Sequence, residues 1–269
     1  MNITFIGGGN MADALIGGLL RKGFAAAGLR AVEVNADARA RLEKKYGVVC
    51  VDKPPQARAG EVFVFSVKPQ QMREAASGAG LAANANLAIT IAAGITLTSL
   101  SRWLGGHRRL VRAMPNTPAL IGAAVTGLHA MDAVTADDRK RTEAILGAVG
   151  SSVWIEHEAQ MDAVTAVSGS GPAYVFYFIE ALEEAANQLG LPAETARKLA
   201  LETFTGAARL AAESPDPVAV LRERVTSKGG TTEAALAGMM DDEVKQAIIR
   251  AIHKANERGR ELGEQLDRD

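Results

Sequence analysis

Short apolar runs alternate with helical spacings through the first 155 positions. Residues 2–6 form such a run and lead into Gly7-Gly8-Gly9, after which Ala14, Leu15, Leu19 and Leu20 recur at a helical interval up to Lys22-Gly23. Further runs at 31–34, 48–51, 61–66, 87–91, 110–112, 125–129 and 153–155 read as strands, with a helix near 137–146. Strands that alternate with helices in this way predict an α/β region built on a largely parallel sheet.

Past residue 157 the strand signal stops. Pro172 follows small and hydroxyl residues as a first-turn proline, and Tyr174, Phe178, Leu182 and Ala185 then share one helical face. Pro192 opens a second long helix that runs to about residue 212, and Ser214-Pro215-Asp216-Pro217 breaks it. The last helix carries Val244, Ile248, Ile252, Ala255, Leu262 and Leu266 as a continuous apolar stripe. The expected architecture is α/β plus all-α: a doubly wound sheet of the Rossmann type over 1–157 and an all-helical domain over 158–269. Helices alone have little bulk with which to cover such stripes, so the second domain is expected to pair with a copy of itself.

Two stretches carry candidate chemistry. Gly7, Gly9 and Ala12 form G-x-G-x-x-A between a strand and a helix, the context that a dinucleotide-binding turn requires: a tight turn, room for a pyrophosphate, and close packing of helix on strand. The next strand is read as ending at Asn35, with Arg39 close by. A neutral end favours NADP, while Asp37 keeps NAD open. Lys68, before Pro69, falls at the carboxyl edge of the sheet, and Ala92-Ala93-Gly94 offers small side chains where a flat ring could lie. The second stretch, residues 225–233, combines two glycines with serine and threonine hydroxyls ahead of a helix, a chemistry suited to holding a small anion on backbone amides.

Composition narrows the field. The 269 residues hold 30 Lys and Arg against 31 Asp and Glu, a formal charge of -1 that suggests no nucleic-acid footprint. Arg102, His107, Arg108 and Arg109 gather around Gly105-Gly106 and read as a solvated loop. Cys50 is the only cysteine, which rules out an intrachain disulfide and fits a reducing cytosol. The first residues lack the pattern of a secretory leader, and no run is long enough to span a membrane. A G-x-S-x-G elbow, an H-E-x-x-H pair and a phosphate-binding G-x-x-x-x-G-K-[ST] are all missing, and His107, His129, His157 and His253 share no ligand spacing, so no metal is expected. Hydride transfer remains, because the coenzyme carries that reaction and the protein supplies position.

Over nearly its whole length the sequence resembles pyrroline-5-carboxylate reductases. Ile6-Gly-Gly-Gly-Asn-Met11, Ser66-Val-Lys-Pro-Gln70, Ala92-Ala-Gly94, Met114-Pro-Asn-Thr-Pro118, Ser168-Gly-Ser-Gly-Pro-Ala-Tyr174 and Val225-Thr-Ser-Lys-Gly-Gly-Thr-Thr232 match that family in order. Lys228 stands where the family usually has proline. The resemblance implies reduction of 1-pyrroline-5-carboxylate to L-proline in the cytoplasm, the last step of proline biosynthesis, with NADP(H) or alternatively NAD(H). It also implies a homodimer through the helical domain and a larger ring such as a decamer, with neither nucleic acid nor membrane as a partner. Coenzyme contacts would come from Ile6, Gly7, Gly8, Gly9, Asn10, Met11, Asn35, Arg39, Ser66, Val67, Lys68, Pro69, Ala92, Ala93, Gly94 and Asn116.

The substrate carboxylate would lie on Ser227 and the amides of Gly230, Thr231 and Thr232. The Thr232 hydroxyl would hold the ring nitrogen as the catalytic contact, and Glu213 would approach the same nitrogen. Thr232 could also serve simply as a helix cap. Two rivals share the glycine turn: a β-hydroxyacid dehydrogenase of the 6-phosphogluconate dehydrogenase type and a non-catalytic NADP-sensing regulator. The first would place a lysine on the helix opening the second domain, where residues 171–178 have none. The intact hydroxyl loop argues against the second.

Overall fold

The computed structural model describes residues 1–58, 60–79 and 86–268. The chain divides into two compact units, Met1–Ser170 joined by the chain from Ala255 onward, and Gly171–Lys254.

The first unit is a wound α/β sheet. β1 (Ile3–Ile6), α1 (Asn10–Arg21), β2 (Leu29–Val32), α2 (Ala36–Tyr46) and β3 (Val49–Val51) form its first half. β4 (Val62–Phe65), α3 (Met72–Gly78), β5 (Leu87–Thr90), α4 (Leu97–Trp103) and β6 (Leu110–Met114) form the second. β7 (Ala124–Ala130), α5 (Ala136–Leu146), β8 (Gly150–Trp154) and α6 (Met161–Val164) follow. The strand order is β3-β2-β1-β4-β5-β6-β7-β8, with β7 antiparallel to β6 and every other neighbouring pair parallel. This is the doubly wound arrangement expected from the alternation.

Side chains on β4 show why such strands are apolar at every position. Val62 and Val64 enter one core cluster with Leu15 and Ile89, whereas Phe63 and Phe65 enter the other with Met72 and Leu100. Successive side chains point to opposite faces, and helices cover both. The wound order reverses at β1, which pairs with β2 on one side and β4 on the other, with Ile6 level with Val32 and Phe65. Doubly wound folds bind nucleotides outside the strand ends at such a reversal.

Three expectations need correction. β2 ends at Val32, not at 34, because its partner β1 ends at Ile6 and the chain turns at Gly7, whose amide donates to the Val32 carbonyl at 2.8 Å. Pro172 does stand in the first turn of the helix that begins at Gly171, but the segment before it was not expected to be helical. It is already helical from Met161, and a π-helical turn over Thr165–Gly169 closes with Ser170 N donating to Thr165 O at 2.8 Å. Gly169 lies against the flexible end of Met114, where a β-carbon would be 2.6 Å from Cε. Finally, the basic cluster near Gly105-Gly106 is paired rather than simply solvated. Arg109 binds the fully buried Asp138 at 2.6 Å, Arg108 meets Asp132 at 2.7 Å, and Arg102 meets Asp267 at 3.0 Å.

The second unit holds α7 (Gly171–Gln188), α8 (Ala193–Glu213), α9 (Val218–Arg224), α10 (Thr231–Asp241) and the first part of α11 (Val244–Arg268). Only Ala196 and Ala200 among its core-forming side chains are buried, while Phe176 and Tyr177 are 64% and 71% exposed. A helical unit with so little interior of its own has apolar surface left to cover. Among the described residues no helix is long and apolar enough to cross a membrane.

Candidate functional site

The carboxyl edge of the first unit is shaped by its glycines. Gly7 has φ of +105°, and a β-carbon there would sit 2.9 Å from the Ser66 carbonyl carbon and oxygen, so only glycine allows the turn to pass under β4. The Ser66 hydroxyl locks that passage by donating to the Gly7 carbonyl at 2.8 Å, with the Ile6 carbonyl 3.2 Å from the same oxygen. Gly9, in contrast, has open space beside it and caps α1 with no side chain. The first amides of α1, including those of Asn10 and Met11, therefore have no intrahelical acceptor, and a helix terminus of this kind can take a pyrophosphate. Ala12 is fully buried against the sheet. The open cradle at Gly9 and the free helix terminus fit a dinucleotide.

Ile6, Gly7, Gly9, Ser66, Val67 and Lys68 line one cavity of about 460 Å³ at this edge. Pro69 opens the short turn that follows Lys68, as its fixed φ favours. The other expected coenzyme residues stand elsewhere. Gly8 is buried beneath Leu42, with Asn10 exposed and Met11 packed against the core. Ala92 is buried, and Gly94, with φ of +77°, lies against Leu266 and Gly263 of α11; Ala93 stands between them, half-buried. Asn116 spends its amide internally, donating to Ser168 O at 3.2 Å and accepting from Val125 N at 3.1 Å.

At the end of β2 the side chains are also committed. Asn35 caps α2 by accepting from Ala38 N at 2.9 Å, and Arg39 Nη1 donates to the carbonyls of Glu33 at 2.6 Å and Val34 at 2.9 Å. Sequence reasoning passed over Glu33. Its carboxylate accepts from Gly8 N and from Asn35 N, each at 2.8 Å, and it lines the same cavity. An acidic residue directly after the second strand was the available signal, hidden because that strand was read two residues too far.

In the second unit the hydroxyl loop precedes α10. Gly230 is the N-cap with φ of -86° and no side-chain cap, so Thr231 and Thr232 occupy the first helical positions and Thr232 is not the cap. Their amides lack intrahelical acceptors. A β-carbon on Gly230 would lie 2.6 Å from Ser227 Oγ, which places that hydroxyl beside the helix terminus. Gly229, at φ of +72°, turns the chain, and its amide donates to the Glu233 carboxylate at 2.6 Å. Ser227 and Thr231 are exposed and Thr232 is half-buried. Glu213 ends α8 and faces Arg209 at 4.0 Å on an exposed surface; among the described residues no hydrogen bond or ion pair joins it to the loop. No cluster of three or more metal-binding side chains occurs among the described residues.

Comparison with known proteins gives this arrangement a family. Residues 158–262 match the family described as pyrroline-5-carboxylate reductase dimerisation, and residues 2–94 match NADP oxidoreductase coenzyme F420-dependent. A pyrroline-5-carboxylate reductase of Pseudomonas aeruginosa is 44% identical over 98% of this chain and 97% of its own. The structure of a pyrroline-5-carboxylate reductase from Coxiella burnetii superposes with a TM-score of 0.91 at 40% identity, covering 97% of this chain and 98% of that one. The Plasmodium falciparum pyrroline carboxylate reductase with NADP bound gives a TM-score of 0.84 at 26% identity, covering 98% of both chains. The chain belongs to the pyrroline-5-carboxylate reductase family.

Proposed function

We propose that this enzyme reduces 1-pyrroline-5-carboxylate to L-proline by holding the substrate carboxylate on the loop that begins α10 while the coenzyme lies along the carboxyl edge of the sheet. The observation that carries the reading is the uncapped terminus of α10, with the Ser227 hydroxyl beside it and two threonines in its first turn. Free amides and a helix dipole attract a carboxylate. Ser227 and the amides of Gly230, Thr231 and Thr232 fix the ring, and the Thr232 hydroxyl bonds the ring nitrogen. Glu213 is a further contact to that nitrogen, supported by the family resemblance.

NADPH or NADH, when bound, would supply a hydride to the carbon of the protonated imine, C2 of the substrate and C5 of the L-proline formed, with the C=N electron pair passing to nitrogen. Because the iminium is already electrophilic, the protein needs no strong acid, and its work is orientation. On the coenzyme side the roles fall to the turn of Gly7, Gly8 and Gly9 with its flanking Ile6, Asn10 and Met11. Asn35 and Arg39 serve at the adenosine end, Ser66, Val67, Lys68 and Pro69 along β4, and Ala92, Ala93, Gly94 and Asn116 at the nicotinamide end.

The enzyme works in the cytoplasm as a homodimer through its helical region, with dimers building a larger ring such as a decamer. The dimerisation family match and the exposed Phe176 and Tyr177 support the pairing; the ring rests on family resemblance. The near balance of charge supports a small molecule, rather than nucleic acid or membrane, as its partner. Steady-state rates with both coenzymes, against 1-pyrroline-5-carboxylate and a hydroxyacid, test the assignment. Turnover of the imine alone is expected, and turnover of the hydroxyacid would favour the dehydrogenase rival.

A further inference from the structure

We infer that Glu33 is the residue of this chain that weighs against the 2'-phosphate of NADPH. The inference rests on the coenzyme site proposed above and deepens it. Three observations carry it. Glu33 is the first residue after β2, at the edge where the wound order reverses, and it lines the cavity shared with Gly7 and Gly9. Its side chain lies directly against the glycine turn: a β-carbon on Gly8 would be 3.2 Å from both Cβ and Cγ of Glu33. Its carboxylate is also held in place, Oε2 accepting from Gly8 N and Oε1 from Asn35 N.

A carboxylate oxygen accepts more than one hydrogen bond, so after these two amide contacts each oxygen keeps acceptor capacity. The hydroxyls of an adenosine ribose are donors that match it. A 2'-phosphate offers acceptors only and brings close to two negative charges. In doubly wound folds this position separates the two coenzymes in that way. The neighbouring cations do not neutralise Glu33 side chain to side chain. Arg39 Nη1 binds the carbonyls of Glu33 and Val34, and Arg41 Nη2 reaches the Gly8 carbonyl at 3.4 Å. Both guanidiniums are held on backbone carbonyls beside this edge, and Glu33 sets the discrimination between the coenzymes.

The test uses full-length enzyme with Glu33→Gln, which keeps the shape and removes the charge, and Glu33→Ser, which removes the side chain as well. Calorimetric affinities are measured for adenosine 5'-phosphate with and without a 2'-phosphate, beside kcat/KM for NADPH and NADH. Both variants are expected to raise the ratio of phosphorylated to unphosphorylated binding by roughly tenfold or more, and the kcat/KM ratio with it. Because the readout is a ratio, general damage to the glycine turn cancels. A ratio that stays at the wild-type value while both affinities fall together overturns the inference and leaves Glu33 as a brace for Gly8. Failure of the wild-type enzyme to bind either fragment overturns the coenzyme site itself, a result distinct from the first.

Discussion

Gly263 of α11 runs against the carbonyl of Gly94: a β-carbon built on Gly263 would lie 3.1 Å from that oxygen. The end of the last helix thus packs on the turn after β5, with Leu266 among the apolar side chains of the second core cluster and Asp267 hydrogen-bonded to Ser99. Gly94 belongs to the turn proposed to face the nicotinamide, so this helix end packs on a proposed coenzyme contact from outside the glycine motif.

A pair of substitutions in α11 tests that relationship. Gly259 has room, since its β-carbon would be 3.6 Å from Asp162 Cβ. Gly259→Ala is therefore expected to stabilise by about 0.5–1 kcal/mol through helix propensity alone. Gly263→Ala is expected to forfeit that gain and to raise the KM for the coenzyme, as the Gly94 turn shifts. Thermal denaturation and coenzyme titration read the two effects; equal stabilisation by both variants would show that the close approach is slack.

Thr232→Ala is expected to lower kcat by roughly tenfold to a thousandfold, the range of one positioned hydrogen bond to a reacting group. Thr232→Ser should recover most of the rate, because the hydroxyl rather than the methyl carries the role. Wild-type turnover in the alanine variant removes Thr232 from the mechanism.

At Gly230 a β-carbon would come 2.6 Å from Ser227 Oγ and 3.0 Å from its carbonyl oxygen. Gly230→Ala should displace that hydroxyl and raise the KM for 1-pyrroline-5-carboxylate by about tenfold, the scale of one hydrogen bond to a charged group. The KM for the coenzyme should stay where it is. A parallel rise in both would point to general disruption instead of a lost carboxylate contact.

Stability should fall toward acid for two identifiable reasons. Burial alone would raise the Asp138 pKa, but its hydrogen bonds to Arg109 and Thr135 outweigh that and hold it below its ordinary 3.8. Its contribution is complete above that value and is lost as pH drops through the lower folded one. Burial holds His107 below its ordinary 6.5, so the unfolded chain takes the proton first and stability declines once pH falls under that value. Unfolding free energies from urea titrations should therefore rise between about pH 5 and pH 7, and His107→Gln should flatten the slope. Removing the partner of a buried charge is more severe: Arg109→Met should cost about 3 kcal/mol. A flat pH profile in the wild-type enzyme would contradict the His107 account.

Much of this fold was readable because its signals are local. The apolar run before Gly7, the helical spacing after Gly9 and the proline at 192 each act within a few residues, and the elements formed where those signals lay. What escaped depends on distant partners. The end of β2 is set by where β1 turns, so Glu33 was read as interior to a strand. The pairing of Arg109 with Asp138 joins positions 29 residues apart, and nothing near Gly105 announces it. The π turn over Thr165–Gly169 packs beside Met114, and no local residue pattern announces it. At the proposed site the sequence exposed the glycines and hydroxyls by type, while Asn35 and Asn116 are committed to backbone groups that their residue type does not announce.

Removing the substrate's charge tests the central claim most directly. Coenzyme oxidation is followed with 1-pyrroline-5-carboxylate and with 1-pyrroline, the same cyclic imine without its carboxylate. If the amides and hydroxyl at the start of α10 anchor that group, kcat/KM for the bare ring should fall by roughly a hundredfold or more, and Ser227→Ala should narrow the gap. Comparable kcat/KM for the two imines would contradict the anchor and the function built on it.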